Sequence, residues 1–132
     1  MGSNDTFQFC SGGRHHYGGF GEWIFTLERG GRLHAEQFVG DKKKHDKAYT
    51  LAKDENEKCW ACIDALALPA LKGSDRAGVP DEAQYRFLLD DGAKKVEVKA
   101  WANDVDKRPD LKKLVSLIKA LLEKYTKKDV VI

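Results

Sequence analysis

The sequence predicts an α+β protein, a two-layer sandwich in which two helices cover one face of an antiparallel sheet of four or five strands. Two patterns in the chain lead to this prediction. Short segments in which polar and apolar residues alternate indicate strands with one apolar face, and two longer segments with apolar residues three or four apart indicate amphipathic helices. Antiparallel strands of this kind leave one face of the sheet exposed to solvent, so both helices are expected on the other face. The predicted order of elements along the chain is β-β-(β)-α-β-β-α.

The first strands are predicted on both sides of a glycine-rich stretch. Phe7 and Phe9 alternate with polar neighbours and indicate a short strand. EWIFTLER (22–29) indicates a second, because its large apolar residues recur at every other position. Gly30–Gly31 then allows a tight turn, and RLHAEQF (32–38) is expected to return as a third, short strand.

Residues 45–67 are predicted to form the first helix. Lys42–Lys44 are expected in the loop before it, because basic side chains are unfavourable at a helix N-terminus, and Pro69 is expected to end the element. The interpretation rests on a stripe of residues at helical spacing, namely Ala48, Leu51, Ala52, Glu55, Cys59, Cys62, Ile63 and Leu66.

A hairpin and a second helix are predicted in the last third of the chain, after a polar loop, KGSDRAGVPDE. In QYRFLLDDGAKKVEVKAW (84–101), alternation on both sides of Asp90–Gly92 indicates two strands and their turn. The final helix begins near Pro109, a residue suited to a first helical turn. Its apolar stripe comprises Leu111, Leu114, Val115, Ile118, Leu121, Leu122 and Tyr125.

Size and composition favour a single domain over residues 1–132, with 1–6 outside the folded part. The net charge of +2, with 21 acidic residues, gives no indication of a nucleic-acid or anionic-membrane partner. No stretch of about 18 apolar residues could span a bilayer, and the N-terminus has no secretory signal pattern. The chain has three cysteines, and this odd number argues against a disulfide framework. A cytoplasmic protein is therefore predicted.

The CWAC segment has the spacing of redox and zinc motifs, but it is predicted to be structural. A redox pair usually opens a helix, where the helix dipole lowers a thiol pKa, whereas Cys59 and Cys62 lie well inside the predicted helix. A zinc site would need a second clustered ligand pair, and the sequence has none. Both cysteines are therefore interpreted as small core residues.

No metal, cofactor or catalytic residue is predicted. His15 and His16 are adjacent and point apart on an extended chain, and His34 and His45 are scattered. The glycine-rich stretch matches neither the GxxxxGK(S/T) nor the GxGxxG spacing of phosphate-binding loops, and it runs into a strand instead of a helix.

That stretch, SGGRHHYGGFG (11–21), is the candidate binding site. Glycine allows a partner to approach the backbone, and arginine, histidine and tyrosine supply contacts at small interfaces. The predicted binding residues are Ser11, Gly12, Gly13, Arg14, His15, His16 and Tyr17. A bulged turn between two strands is the alternative for the stretch itself. Two further readings of the whole chain are a small enzyme that uses His15 or His16 as a base and a structural domain without a ligand.

The chain also resembles the emfourin-type domain, a family of small bacterial inhibitors of thermolysin-like metalloproteases. The similarity is carried by FQFCSGG near the start, then by LALPAL, PDEAQYRFLLDDG, VEVKAW and RPDLKKLVSLIKALL in order, over about residues 7–122. The resemblance implies an α+β fold, a protein partner in the form of a metalloprotease, and a binding-loop role for Ser11, Gly12 and Gly13. The expected function is thus a non-enzymatic binding domain.

Overall fold

In the part of the chain that the structure describes, a six-stranded antiparallel sheet packs against two long helices. The computed structural model describes residues 5–12, 21–66, 84–90, 92, 94–105, 107–128 and 130. The elements in chain order are β1 (Thr6–Cys10), β2 (Glu22–Glu28), β3 (Arg32–Val39), β4 (Lys42–Thr50), α1 (Lys53–Ala65), β5 (Gln84–Asp90), β6 (Lys95–Trp101), the short α2 (Ala102–Val105) and α3 (Pro109–Thr126). The α+β class is confirmed.

The strand order is β4-β3-β2-β1-β5-β6, with every neighbouring pair antiparallel. The first four strands therefore form a meander, and the β5–β6 hairpin is added beside β1. The predicted four or five strands were too few, and the predicted order placed a helix where the fourth strand lies. The hairpin itself is confirmed, with Phe87 opposite Val98 and the Gly92 N–H bonded to Asp90 Oδ1.

The fourth strand is the main correction to the predicted fold. Lys42–Thr50 is an edge strand, and the helix expected over 45–67 is observed as Lys53–Ala65. Most β4 side chains are exposed, so the strand lacks the apolar alternation that reveals an interior strand. Lysine-rich edge strands are a common protection against pairing with other chains. The predicted stripe is wrong at its start, because Ala48 belongs to β4 whereas Glu55, Cys59, Cys62 and Ile63 belong to α1.

The N-terminus of α1 is tied to the C-terminal end of α3 by Glu55. Its Oε1 accepts the backbone N–H of Ala52 at 3.1 Å, and its carboxylate also binds the Tyr125 hydroxyl and the Lys124 ammonium. Glu55 is the third residue of the helix, where a carboxylate can cap the free N–H groups and favours the helix dipole. This residue was assigned to the apolar stripe and instead has a capping role.

Helix α3 is confirmed as predicted. It begins at Pro109, and Lys127 ends it in the left-handed conformation with φ of +62°. The Lys127 N–H bonds to Glu123 O at 3.1 Å and so satisfies one of the free carbonyls of the last turn. Its buried residues are Leu111, Leu114, Val115, Ile118, Leu121, Leu122 and Thr126.

One face of the sheet, the covered face, packs against α1 and α3. Alternate residues of the strands are buried there in one hydrophobic cluster with Cys59, Trp60 and Ile63 of α1 and the stripe of α3. The other face, the open face, carries mixed polar and apolar residues such as Gln8, Ile24, Thr26, Glu36 and Leu88, and no helix in the described ranges packs on it. The covered-face strand residues are Phe7, Phe9, Trp23, Phe25, Leu27, Leu33, Ala35, Tyr85, Phe87, Val98 and Ala100.

Asp5 belongs to the folded chain, although residues 1–6 were expected outside it. Its carboxylate forms an ion pair with Arg29 at 2.5 Å, and Arg29 also makes two hydrogen bonds to Asp64 of α1. The Arg29 guanidinium lies 3.9 Å from the centre of the Trp60 ring. This cluster joins the start of the chain and the end of β2 to the first helix.

In the part of the chain that is described, no helix combines the length and the apolar character needed to cross a membrane.

Candidate functional site

Two of the seven predicted binding residues lie at the point where β1 ends. Ser11 and Gly12 are described, whereas Gly13, Arg14, His15, His16 and Tyr17 fall outside the described residues. Gly21, where the described chain resumes, directly precedes β2. The structure therefore defines both ends of the segment that connects β1 to β2, which we call the β1–β2 connection (residues 11–21).

Two hydrogen bonds join Ser11, at the first end of the β1–β2 connection, to Trp23 of β2. The Ser11 backbone N–H bonds to Trp23 O at 3.0 Å, and the Ser11 Oγ accepts the Trp23 N–H at 2.9 Å. The hydroxyl thus takes the place that a backbone carbonyl would have in a continued ladder. Ser11 is only 3% exposed, so these bonds are shielded from water.

Gly12 and Gly21 fix the backbone at the two ends in ways that other residues do not allow. Their φ angles are +69° and +75°, a region that L side chains rarely adopt. A Cβ on Gly12 would lie 2.5 Å from Gln84 O of β5, and one on Gly21 would lie 2.3 Å from Phe38 O of β3. Gly12 and Gly21 thus each bring the backbone into close contact with a neighbouring strand, β5 and β3 respectively.

The three cysteines differ in burial: Cys10 and Cys59 are buried, and Cys62 is half-buried. Cys59 is fully buried, and burial raises its thiol pKa to about 12. Cys10 is buried on the open face, where burial raises its pKa despite the nearby positive charge of Arg86. Cys62 is half-buried beside Ala65 and Leu66, in a groove along α1. All three are free thiols, and the core interpretation of Cys59 is confirmed.

His45 has a structural environment at the β4 edge. Its Nε2 lies 2.8 Å from the Tyr49 hydroxyl, the two rings are stacked, and the Trp23 ring centre lies 6.0 Å away. Burial lowers the pKa of His45, and the positive charges of Lys128 and Lys47 lower it further. A neutral imidazole in this place packs as an aromatic residue against Trp23 of β2 and Tyr49 of β4.

Sequence reasoning missed a second group of polar residues, which lies on the open face at β3 and β4. His34, Glu36 and Asp46 meet there, and Lys43 lies beside both carboxylates. Hydrogen bonds from His34 and Lys43 lower the pKa of Asp46, which keeps its carboxylate ionised. The two-residue spacing of His34 and Glu36 was a visible signal. The third member was hidden because Asp46 had been placed in a helix.

Comparison with known proteins adds no relative to this description. No protein-family model matches the chain, and a search of curated proteins gives no significant match. The emfourin-type resemblance therefore stays a prediction.

Proposed function

We propose that the protein is a non-enzymatic binding domain that uses the β1–β2 connection to inhibit a thermolysin-like metalloprotease. One observation carries the proposal, namely that both ends of this connection are held in the sheet by Ser11, Gly12 and Gly21. Fixed ends reduce the conformational entropy lost when a segment binds, so binding energy is retained as affinity.

The chemical character of the connection supports a protein partner. Residues 14–17 are Arg, His, His and Tyr, and arginine and tyrosine are enriched at the energetic centres of interfaces. An inhibitor of this kind acts by filling a cleft and needs no nucleophile of its own. The raised pKa values of Cys10 and Cys59 agree with a domain that performs no thiol chemistry.

The family resemblance indicates the class of target, and the free cysteines support a cytoplasmic location. The FQFCSGG segment places Ser11 and Gly12 where the emfourin-type pattern has its Ser-Gly-Gly, and this similarity points to a metalloprotease. Three free thiols are typical of proteins kept in a reducing environment, so we place the protein in the cytoplasm.

Inhibition of purified thermolysin-like proteases tests the proposal. The full chain should suppress at least one member of a panel with an inhibition constant in the nanomolar to micromolar range. Replacing Arg14, His15, His16 and Tyr17 together with alanine should raise that constant by at least about thirtyfold, because central interface residues contribute about 2 kcal/mol or more. The activity is measured with a peptide substrate at a buffered zinc concentration.

A control at the other end of the sheet separates a site effect from a general effect of charge removal. Arg32 and Lys95 are exposed near the β2–β3 and β5–β6 turns, and the double variant Arg32→Ala/Lys95→Ala should inhibit as well as the natural sequence. A panel left fully active would refute the proposed function. Equal inhibition by the fourfold variant would refute the proposed site.

A further inference from the structure

Three side chains of metal-ligating type converge on the open face. His34 and Glu36 are two residues apart on β3, so they share a face, and Asp46 of β4 is the direct cross-strand partner of Glu36. One ligand atom of each side chain lies within 4.8 Å of the other two. His34 Nε2 is hydrogen-bonded to Asp46 Oδ1, and His34 Nδ1 lies 3.7 Å from Glu36 Oε1.

The backbone gives these side chains a rigid support. β3 and β4 are paired from Arg32↔Thr50 to Val39↔Lys42 with one register shift, and ligands carried by strands are held more precisely than ligands on loops. A tetrahedral ion with ligands at about 2.1 Å needs donor atoms about 3.4 Å apart. The three donors lie within 4.8 Å of one another, which is close to that spacing.

Lys43 marks the position between the carboxylates as favourable for a cation. Its Nζ lies 3.0 Å from Asp46 Oδ2 and 3.7 Å from Glu36 Oε2. The ammonium is carried on a flexible stem and is 45% exposed, so it can move into solvent when another cation binds. A divalent ion has twice the charge and would interact more strongly with both carboxylates.

The ligand set selects the kind of ion. One imidazole nitrogen and two carboxylate oxygens suit Zn²⁺ and its first-row neighbours, whereas Ca²⁺ and Mg²⁺ prefer oxygen ligands alone. Three protein ligands also leave at least one coordination position open to solvent on this face.

We propose that His34, Glu36 and Asp46 bind one Zn²⁺ ion that fastens the edge strand β4 to β3. The three ligands lie beside the register shift between Gln37 and Phe38, where the pairing of the two strands is irregular. The ion joins the strands at that point through side chains. This site is separate from the β1–β2 connection, and its function does not depend on protease inhibition.

Zinc titration of the metal-free full chain by isothermal calorimetry tests the proposal. We expect one ion per chain, with an affinity for Zn²⁺ far above that for Mg²⁺. His34→Ala and Asp46→Asn should each weaken binding by at least about tenfold. Lys43→Met should strengthen it by roughly five- to thirtyfold, because the competing positive charge is removed.

Three controls test whether zinc binds specifically at this site. The double variant His15→Ala/His16→Ala removes the two histidines of the β1–β2 connection and should bind Zn²⁺ like the natural sequence. Zinc should raise the melting temperature of the natural sequence but not that of Asp46→Asn, a nearly isosteric change on an exposed strand. In the protease assay, His34→Ala should inhibit normally, which separates this site from the proposed function and excludes inhibition by zinc removal.

Three results would overturn the zinc site. The first is that the chain gives no heat of binding and retains no zinc. The second is that His34→Ala binds zinc as tightly as the natural sequence. The third is that the His15→Ala/His16→Ala variant no longer binds zinc.

Discussion

Phe9→Ala is expected to destabilise the protein by about 3–5 kcal/mol, the cost of removing a large aromatic side chain from a packed core. Phe9 is fully buried on the central strand β1, with Phe25 opposite it on β2 and Phe87 opposite it on β5. Its ring centre lies 5.3 Å from those of both Phe87 and Tyr85. The free energy of unfolding is measured by urea denaturation followed by tryptophan fluorescence.

A matched change on the other face separates core loss from loss of any apolar group. Leu88→Ala removes a half-buried side chain from the open face of the neighbouring strand and is expected to cost about 1 kcal/mol. Because a loss of about 5 kcal/mol equals the whole stability of a marginally stable domain, Phe9→Leu provides a milder variant that should still fold. Equal effects of Phe9→Ala and Leu88→Ala would contradict the position of the core.

Gly21→Ala is expected to cost about 2–5 kcal/mol and to weaken any binding through the β1–β2 connection. The left-handed backbone conformation costs a non-glycine residue about 1–2 kcal/mol, and overpacking adds about 1–3 kcal/mol. The overpacking arises because the new Cβ would lie 2.3 Å from Phe38 O and 2.7 Å from Val39 Cγ2. The chain must shift to relieve this contact, so urea denaturation and the protease assay should both report the change.

Gly40→Ala is the matched control for Gly21→Ala. Gly40 also has a positive φ, +59°, but a Cβ there meets no atom within 4 Å. The variant should therefore cost only the conformational term of about 1–2 kcal/mol and leave inhibition unchanged. If both glycine variants lose the same stability, the close contact between Gly21 and β3 does not hold the connection.

The fold class could be predicted because most elements follow a clear period. The stripe of α3 and the alternation in β2, β5 and β6 each bury one face, and such burial leaves a pattern in the sequence. β4 leaves none, because an edge strand exposes most of its side chains, and only His45 and Tyr49 of β4 are partly buried. The error then extended to Glu55, which caps α1 but lies at a spacing that fits an apolar stripe.

The candidate sites were predictable only in part. The glycines of the β1–β2 connection signalled an unusual backbone, and Gly12 and Gly21 do have positive φ angles. The sequence could not indicate that Ser11 would bond to Trp23, because that contact depends on the register of β1 and β2. The group of His34, Glu36 and Asp46 depends on the pairing of β3 with β4 and was hidden with that strand.

An NMR titration tests the central claim, binding through the β1–β2 connection, most directly. The ¹⁵N-labelled chain is titrated with a zinc-loaded thermolysin-like protease, and backbone amide signals are followed. We expect shifts or broadening at residues 11–23 and at Gln84 and Phe38, whose carbonyls contact the connection, with the turns at Gly30–Gly31 and Gly92 unchanged. Changes centred on those turns or on α3 would contradict the account, as would a spectrum that the protease leaves unaltered.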